Sequence, residues 1–417
     1  MMSVKLITFL GNVRKTEQNP KGYQLTKYQF HDVEEPYETC FVADAIARKF
    51  AVDEVRVFVT KEAMANHLED LQQALQDTNI PVYPVKIETP DDSDRYIWDI
   101  FNKITDEEII KKHDSIVFDV TLSFRSIPIL AFLSNIYLQK IRETELKAIV
   151  YGEFIPGTSP TYMRDLSVFA RILDWTTAVS TFQQTGRVEN LAALAKNLGG
   201  EPVEQFAKQL EAFSQELLAA RPVGTTWAAS KLPALLEQVK NDSRPESTPL
   251  GLLLDSIAET YQQFDLNRGP LATLDATYEE AKVKDIQFLK IQLDMIKWYI
   301  KKGLPIQATT LAREWLVSLA DYYQDTAVNS FSYKERDKLS RYINNFIPPS
   351  NTPKIPDIQP SSRLKQHAQG IADVWDSIRN IRNDIAHCGY DRPKAKEAAK
   401  LQAHLDSLEE MLDQLLP

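Results

Sequence analysis

The residues best suited to chemistry in this sequence are an arginine and a histidine five positions apart near its C-terminal end. Arg379-Asn380-Ile381-Arg382-Asn383-Asp384-Ile385-Ala386-His387 reads as the last turns of a helix, with Cys388-Gly389 closing it and Gly389 available as the cap. Five residues turn a helix through about 500°, so the side chains of Arg382 and His387 project about 140° apart. They share a cleft only near a helix end, or where a second copy of the helix faces the first. An arginine and a neutral histidine suit cleavage of RNA by its own 2′-hydroxyl. One group removes the hydroxyl proton, another protonates the leaving 5′-oxygen, and a cation stabilises the pentacovalent phosphorane between them. Histidine titrates near neutrality and serves either proton transfer; arginine stays charged and forks onto phosphate oxygens. The spacing alone is common, and the blander reading is a surface arginine beside a capping histidine. His31, His67, His113, His367 and His404 lie in polar surroundings without metal-ligand spacing and read as surface residues. The two cysteines, Cys40 and Cys388, make neither a disulfide framework nor a zinc site, so no metal and no cofactor is expected.

A second constellation lies near the middle of the N-terminal half. Asp119-Val120-Thr121-Leu122-Ser123-Phe124-Arg125-Ser126 follows the continuous apolar run Ser115–Val120 and opens a helix. In an open α/β sheet, the C-terminal end of such a strand is where the ligand crevice forms. Backbone N–H groups at the helix start, the hydroxyls of Thr121, Ser123 and Ser126, and the guanidinium of Arg125 make a cradle for phosphate. Leu10-Gly11-Asn12 ends the first strand and faces the same crevice, with Gly11 allowing close backbone approach. Neither G-x-G-x-x-G nor a Walker A pattern occurs, which disfavours a dinucleotide or a nucleoside triphosphate. The alternative is a purely structural strand-to-helix turn.

The elements that must carry these residues divide at about residue 170. Before it, strand patterns at Val4–Leu10, Glu54–Thr60, Val82–Ile87, Ser115–Val120 and Leu146–Phe154 alternate with helical patterns at Glu38–Phe50, Met64–Gln76, Asp91–Lys112 and Ile127–Gln139. That alternation predicts a Rossmann-like α/β domain with a mainly parallel sheet. After it, period-3.6 patterns dominate: Leu166–Phe182, Val188–Leu198, Pro222–Lys240, Leu252–Phe264, Leu274–Lys301, Ile306–Tyr323, Leu364–His387 and Lys394–Leu416. The loop Asn241–Thr248 and the proline-rich stretch Ile347–Pro360 interrupt them. The expected organisation is a ligand-sensing domain over 1–170, a helical connector over 171–250 and an all-α domain over 251–417.

Composition narrows the class further. Only 13 of 417 residues are glycine, which favours long helices over a many-stranded β fold. A net charge of −10 argues against a protein that coats nucleic acid through bulk electrostatics. The excess acid sits in residues 1–175, with 20 basic and 27 acidic side chains, against 21 and 23 in residues 251–417. Basic clusters at Lys334–Arg341 and at Arg392, Lys394, Lys396 and Lys400 read equally as solvated helix faces or as functional surfaces. Neither a signal-peptide pattern nor an uninterrupted run of 18 apolar residues is present, so a cytoplasmic protein without membrane contact is expected.

Two family resemblances join these observations. The string R-N-x-x-A-H at a helix end resembles the HEPN ribonuclease signature, which implies Arg382, Asn383 and His387 as catalytic residues, Asn383 positioning rather than transferring protons. In that family the site is composite, formed where two such helices meet in a dimer. The string D-x-T-x-S-x-R, with Phe9-Leu10-Gly11 after strand one and a helix start at Glu38-Thr39, resembles the CARF domain, the CRISPR-associated Rossmann fold. Proteins joining CARF to HEPN are accessory ribonucleases of type III CRISPR systems, activated by cyclic oligoadenylate at the CARF dimer interface. The resemblance implies Gly11, Asn12, Thr39, Asp119, Thr121, Ser123, Arg125 and Ser126 as contacts to a cyclic tetra- or hexa-adenylate. It also implies a homodimer or larger homo-oligomer and cleavage of single-stranded RNA without a metal. Relatives commonly carry glycine where this chain has Ser123, which puts ring fit in question. Arg313-Glu314 reads as a partly buried ion pair or, by the resemblance, as a charged pair supporting the composite cleft. Two further readings stay open: a sensor whose helical domain only binds a partner, and a CARF domain that also degrades its activator.

Overall fold

The computed structural model describes residues 3–14, 22–88, 95–122, 127–155, 158–241, 247–266, 286–324, 332–345, 358–388, 390 and 398–416. It resolves into two compact units, Met1–Leu173 and Asp174–Pro417.

In the first unit the apolar runs become strands. β1 (Val4–Leu10), β2 (Thr26–Gln29), β3 (Tyr37–Thr39), β4 (Glu54–Val59), β5 (Val82–Lys86), β6 (Ser115–Asp119), β7 (Glu145–Glu153) and β8 (Thr161–Asp165) form one sheet of order β3-β2-β8-β7-β6-β1-β4-β5 among the described residues. The five strands β7-β6-β1-β4-β5 run parallel; β8 is antiparallel to β7, and β3 is antiparallel to β2. Every residue of β6 is buried, as expected of a strand covered on both faces. Helices α1 (Val42–Phe50) and α2 (Lys61–Ala74) cover one face, packing Ile46, Leu68 and Leu71 onto Leu6, Val57 and Val117. Helices α3 (Arg95–Ile104) and α4 (Ile127–Arg142) cover the other, against Ile7, Phe58 and Phe118.

Three expectations for this unit need correction. The helix expected from Glu38 begins at Val42, because Tyr37, Glu38 and Thr39 pair with β2 as an edge strand. The helix expected over Asp91–Lys112 ends at Ile104, where the Thr105 hydroxyl turns back onto the Phe101 carbonyl. β2, β3 and β8 carry no apolar run and lie outside the strand patterns of the sequence.

At the N-terminal ends of the strands, buried Lys5 on β1 joins Glu54 at 3.1 Å, Asp114 at 3.0 Å and the Ile109 carbonyl at 2.6 Å. Among the described residues the opposite, C-terminal ends carry no such ionic clamp and open into a cavity.

The second unit is helical among the described residues. α5 (Ser167–Thr185) leads in from the first unit. α6 (Glu189–Leu198), α7 (Glu201–Leu218), α8 (Pro222–Lys240), α9 (Ser247–Asp255), α10 (Ala258–Gln262), α11 (Ile286–Lys301), α12 (Pro305–Tyr323), α13 (Tyr333–Asn344), α14 (Ser362–Ala386) and α15 (Ala398–Asp413) follow. One continuous apolar core runs from Trp175 to Leu412, so residues on either side of position 250 share packing. The helix expected over Leu252–Phe264 is broken at Ser256-Ile257 into α9 and α10. Residues 267–285 and 346–357, which include the first part of the helix expected over Leu274–Lys301 and most of the stretch Ile347–Pro360, lie outside the described residues. No described helix is long and apolar enough to cross a membrane.

Candidate functional site

The C-terminal ends of β1, β4, β5 and β6 surround a cavity of about 560 Å³ in the first unit. Gly11 and Asn12 enter it after β1, Thr60 and Glu62 after β4, Ile87 after β5, and Thr121 and Leu122 after β6. Phe9, Phe58 and Ile87 give it apolar walls, and Glu62 is the one charged group in its described lining.

The floor is set by a chain of hydrogen bonds across three adjacent strands. Asp119 is 1 % exposed. Its carboxylate accepts from the Thr8 hydroxyl at 2.6 Å and from the Thr121 backbone N–H at 3.0 Å. Burial pushes the Asp119 carboxyl above the ordinary aspartate range, while bonds from Thr8 and Thr121 oppose the shift. The Thr121 oxygen in turn accepts from the Gly152 N–H of β7 at 2.8 Å. A Cβ at Gly152 would come to 3.0 Å from Thr121 Cγ2, so a side chain there would push Thr121 aside by a few tenths of an ångström. Asp119 therefore shapes the turn from beneath, and Thr121 stands at the cavity wall.

Of the ligand contacts implied by sequence, Gly11, Asn12 and Thr121 come together at this cavity, with Asp119 buried behind them. Thr39 does not: it lies on edge strand β3, four strands from β6, and its hydroxyl oxygen accepts from the Phe41 N–H. Ser123, Arg125 and Ser126 lie outside the described residues. Sequence reasoning missed Tyr23, Thr60 and Glu62. The strand-end rule that selects Gly11 also selects Thr60, which follows β4 and caps α2 by accepting from the Ala63 N–H. No such rule points to Tyr23, whose hydroxyl donates to the Gly11 carbonyl at 2.8 Å. Burial drives the Tyr23 phenol far above its ordinary pKa, so it remains a donor. His67 is not a surface residue: it is 1 % exposed, and its Nε2 meets the Val13 carbonyl at 2.8 Å. His367 is half-buried, stacked 4.1 Å from the Tyr323 ring.

In the second unit, α14 is fixed along its length. Ser361 accepts from the Leu364 N–H at 3.0 Å as its N-cap and donates to the Tyr323 carbonyl at 2.7 Å. Leu364, Ile371, Trp375, Ile378 and Ile381 form its buried stripe. The Trp375 indole N–H donates to Asn344 Oδ1 at 3.0 Å. Past Ile381 the helix emerges, and Arg382, Asn383 and His387 are all exposed. None of these three side chains has a hydrogen bond or ion pair with another described residue. His387 caps the helix, its N–H bonded to the Asn383 carbonyl at 2.9 Å. The left-handed residue expected at Gly389 is Cys388, with φ of 51°; Gly389 itself lies outside the described residues.

Arg313 and Glu314 are partly exposed and in contact at 2.7 Å. The Arg313 guanidinium lies 5.1 Å from the Trp375 ring centroid, and Glu314 also accepts from Arg336 at 2.9 Å. Trp375 precedes Arg382 by seven residues, two turns along the same side of α14. The basic run Lys334–Arg341 is largely matched by acid: Arg336 bonds Glu314, Lys338 bonds Glu335 and Arg341 bonds Asp337. Arg392, Lys394 and Lys396 lie outside the described residues. No group of three or more His, Cys, Asp or Glu among the described residues is arranged to hold a metal ion.

Comparison with known proteins adds three findings. Residues 5–156 match the family described as CRISPR system endoribonuclease Csx1, CARF domain. Residues 171–268 match the second domain of the CRISPR-associated protein MJ1674. The CRISPR-associated protein MJ1674 of Methanocaldococcus jannaschii is 26 % identical over 299 residues, 70 % of this chain. The match spans 40 % of that relative's length.

Proposed function

We propose that this chain, a CARF-containing CRISPR accessory protein of the Csx1 type, is an endoribonuclease switched on by cyclic oligoadenylate. The observation that carries the reading is the end of α14. A helix packed along most of its length delivers an exposed arginine and histidine with no described partner. The match of residues 5–156 to the CARF domain of a CRISPR endoribonuclease supports the sensing half.

In this reading the cavity at the strand ends takes an adenine against Phe9, Phe58 and Ile87, and Thr121 at the end of β6 meets an adjoining phosphate. The ring is two-fold symmetric, so two copies of the chain grip it from either side. α4 offers a surface for the second copy: Ile129, Leu133, Tyr137 and Ile141, spaced by four, are each 45–66 % exposed. Such a stripe interdigitates with its own two-fold copy through i±4 ridges.

Cleavage follows from the chemistry of Arg382 and His387 on two facing copies of α14. One imidazole takes the 2′-hydroxyl proton as its oxygen attacks phosphorus; a protonated imidazole returns a proton to the departing 5′-oxygen. Arg382 stabilises the phosphorane charge, and Asn383 orients the phosphate. The products are a 2′,3′-cyclic phosphate and a 5′-hydroxyl, and the reaction uses no metal. Ring binding biases how the two copies of α14 meet, a coupling between distinct sites.

End-group analysis of digested single-stranded RNA tests this chemistry. Cyclic-phosphate and 5′-hydroxyl ends, formed equally in a chelator, are expected. Ends of the 3′-hydroxyl and 5′-phosphate type would overturn the mechanism. Incubating the ring alone and looking for linear oligoadenylate tests whether the first unit also degrades its activator.

A further inference from the structure

We infer that Asn66 and His67 on α2 are positioning residues that fix the Gly11–Val13 loop before a ligand arrives. The inference rests on the reading of the cavity as the ring site. Three successive loop residues are each held by a separate side chain. The Gly11 carbonyl accepts from the Tyr23 hydroxyl at 2.8 Å, Asn12 Oδ1 accepts from Asn66 Nδ2 at 3.0 Å, and the Val13 carbonyl accepts from His67 Nε2 at 2.8 Å. The Tyr23 and His67 rings meet edge to face at 5.0 Å, so two of the three anchors brace each other.

The tautomer follows from these contacts. Nε2 faces a carbonyl and must carry the hydrogen, while Nδ1 is buried without a partner among the described residues. A buried, unsatisfied nitrogen is unfavourable, and it is kept where the other nitrogen holds the loop. Holding Asn12 Oδ1 also directs that amide: its Nδ2 is left as the donor at the cavity. α2 thus lines the cavity with Thr60 and Glu62 at its start and grips the loop one turn later. A ligand that meets a loop already in place avoids the entropy of ordering it.

Calorimetric titration of the full chain with cyclic tetra-adenylate and with cyclic hexa-adenylate tests this. His67→Phe keeps a ring against Tyr23 and removes the donor; it should weaken binding about 10-fold or more. His67→Gln retains an N–H close to the Nε2 position and should bind within about threefold of the native chain. Asn66 is exposed, so Asn66→Ala should weaken binding at an unchanged melting temperature, which keeps the test valid even if His67→Phe folds poorly. In the ligand-free variants, amide exchange at residues 12–14 should quicken. RNA cleavage at saturating ring should keep its maximum, with only the half-activating concentration raised. Equal Kd values for the native chain, His67→Phe and Asn66→Ala would overturn the inference alone. Failure of the native chain to bind either ring would overturn the ring reading and this inference with it.

Discussion

The Thr8 hydroxyl on β1 donates a 2.6 Å hydrogen bond to Asp119 on the adjacent strand β6, at a depth where both side chains are almost sealed from water. Together with the Thr121 N–H, this bond shapes the turn at the cavity wall. An aspartate at that depth resists ionisation, and burial raises its pKa more than the two residues' hydrogen bonds lower it.

Stability should therefore carry a pH signature. A folded-state pKa above the unfolded one means that the folded chain holds more protons across that window, so stability falls as pH rises through it. Asp119→Asn removes the ionisable group and can keep bonds to Thr8 and Thr121. Urea unfolding of both proteins between pH 4 and pH 8 should show the difference shifting steadily in the variant's favour with pH. A difference independent of pH would contradict the assignment.

Lys5 should be among the most sensitive positions of the first unit. It is 3 % exposed, and Asp114, its partner at 3.0 Å, is 2 % exposed. Removing one member leaves the other charge buried and uncompensated, so Lys5→Met is expected to cost about 3–5 kcal/mol in chemical denaturation. Replacing Asp114 by Asn in the same chain should recover part of that loss.

The contact between Gly152 and Thr121 can be separated from general stability by a pair of substitutions. Gly152→Ala drives a methyl group to 3.0 Å from Thr121 Cγ2 and to 3.3 Å from Met163 Sδ. Overpacking of this kind costs about 1–3 kcal/mol. It should also displace Thr121 from the cavity wall and weaken ring binding. Thr121→Ser removes Cγ2 while keeping the hydroxyl, so the double variant should bind the ring better than Gly152→Ala alone, as equilibrium titration would register.

Arg382, Asn383 and His387 should behave as functional rather than structural residues. All three are exposed, so alanine at each should change unfolding free energy by no more than about 0.5 kcal/mol. RNA cleavage should fall by about 100-fold or more in Arg382→Ala and His387→Ala, with a smaller loss in Asn383→Ala. Trp375→Ala serves as the contrasting control. It is 5 % exposed and packed under Arg313, so it should lose about 3–5 kcal/mol of stability.

Much of this arrangement is legible in the residues themselves. The apolar runs at Val4–Leu10, Glu54–Val59 and Ser115–Asp119 are strands because both faces of each are buried, and the strand-end rule then places Gly11, Asn12 and Thr121 at one cavity. β2, β3 and β8 escape notice because they are short and partly exposed, with pairing rather than hydrophobicity defining them. That is also why Thr39 reads as a helix start and proves to be an edge-strand residue. His67 escapes for a different reason. Asn66 beside it is exposed and Glu69 follows, so local sequence suggests a surface; the burial comes from Tyr23 and Val13, more than forty positions away. On α14, the stripe from Leu364 to Ile381 announces the helix and its buried side, and the same periodicity leaves His387 outside; Arg382 continues the line of Trp375 and Ile378, so its exposure, one residue past buried Ile381, is not legible from the pattern.

Cleavage of a fluorescent single-stranded RNA by the full chain, with and without cyclic tetra- or hexa-adenylate, decides whether this chain is a ring-activated ribonuclease. Little cleavage is expected without the ring, strong cleavage with one of the two, and almost none in His387→Ala under the same conditions. Cleavage that ignores both rings, or that survives His387→Ala undiminished, would contradict that expectation.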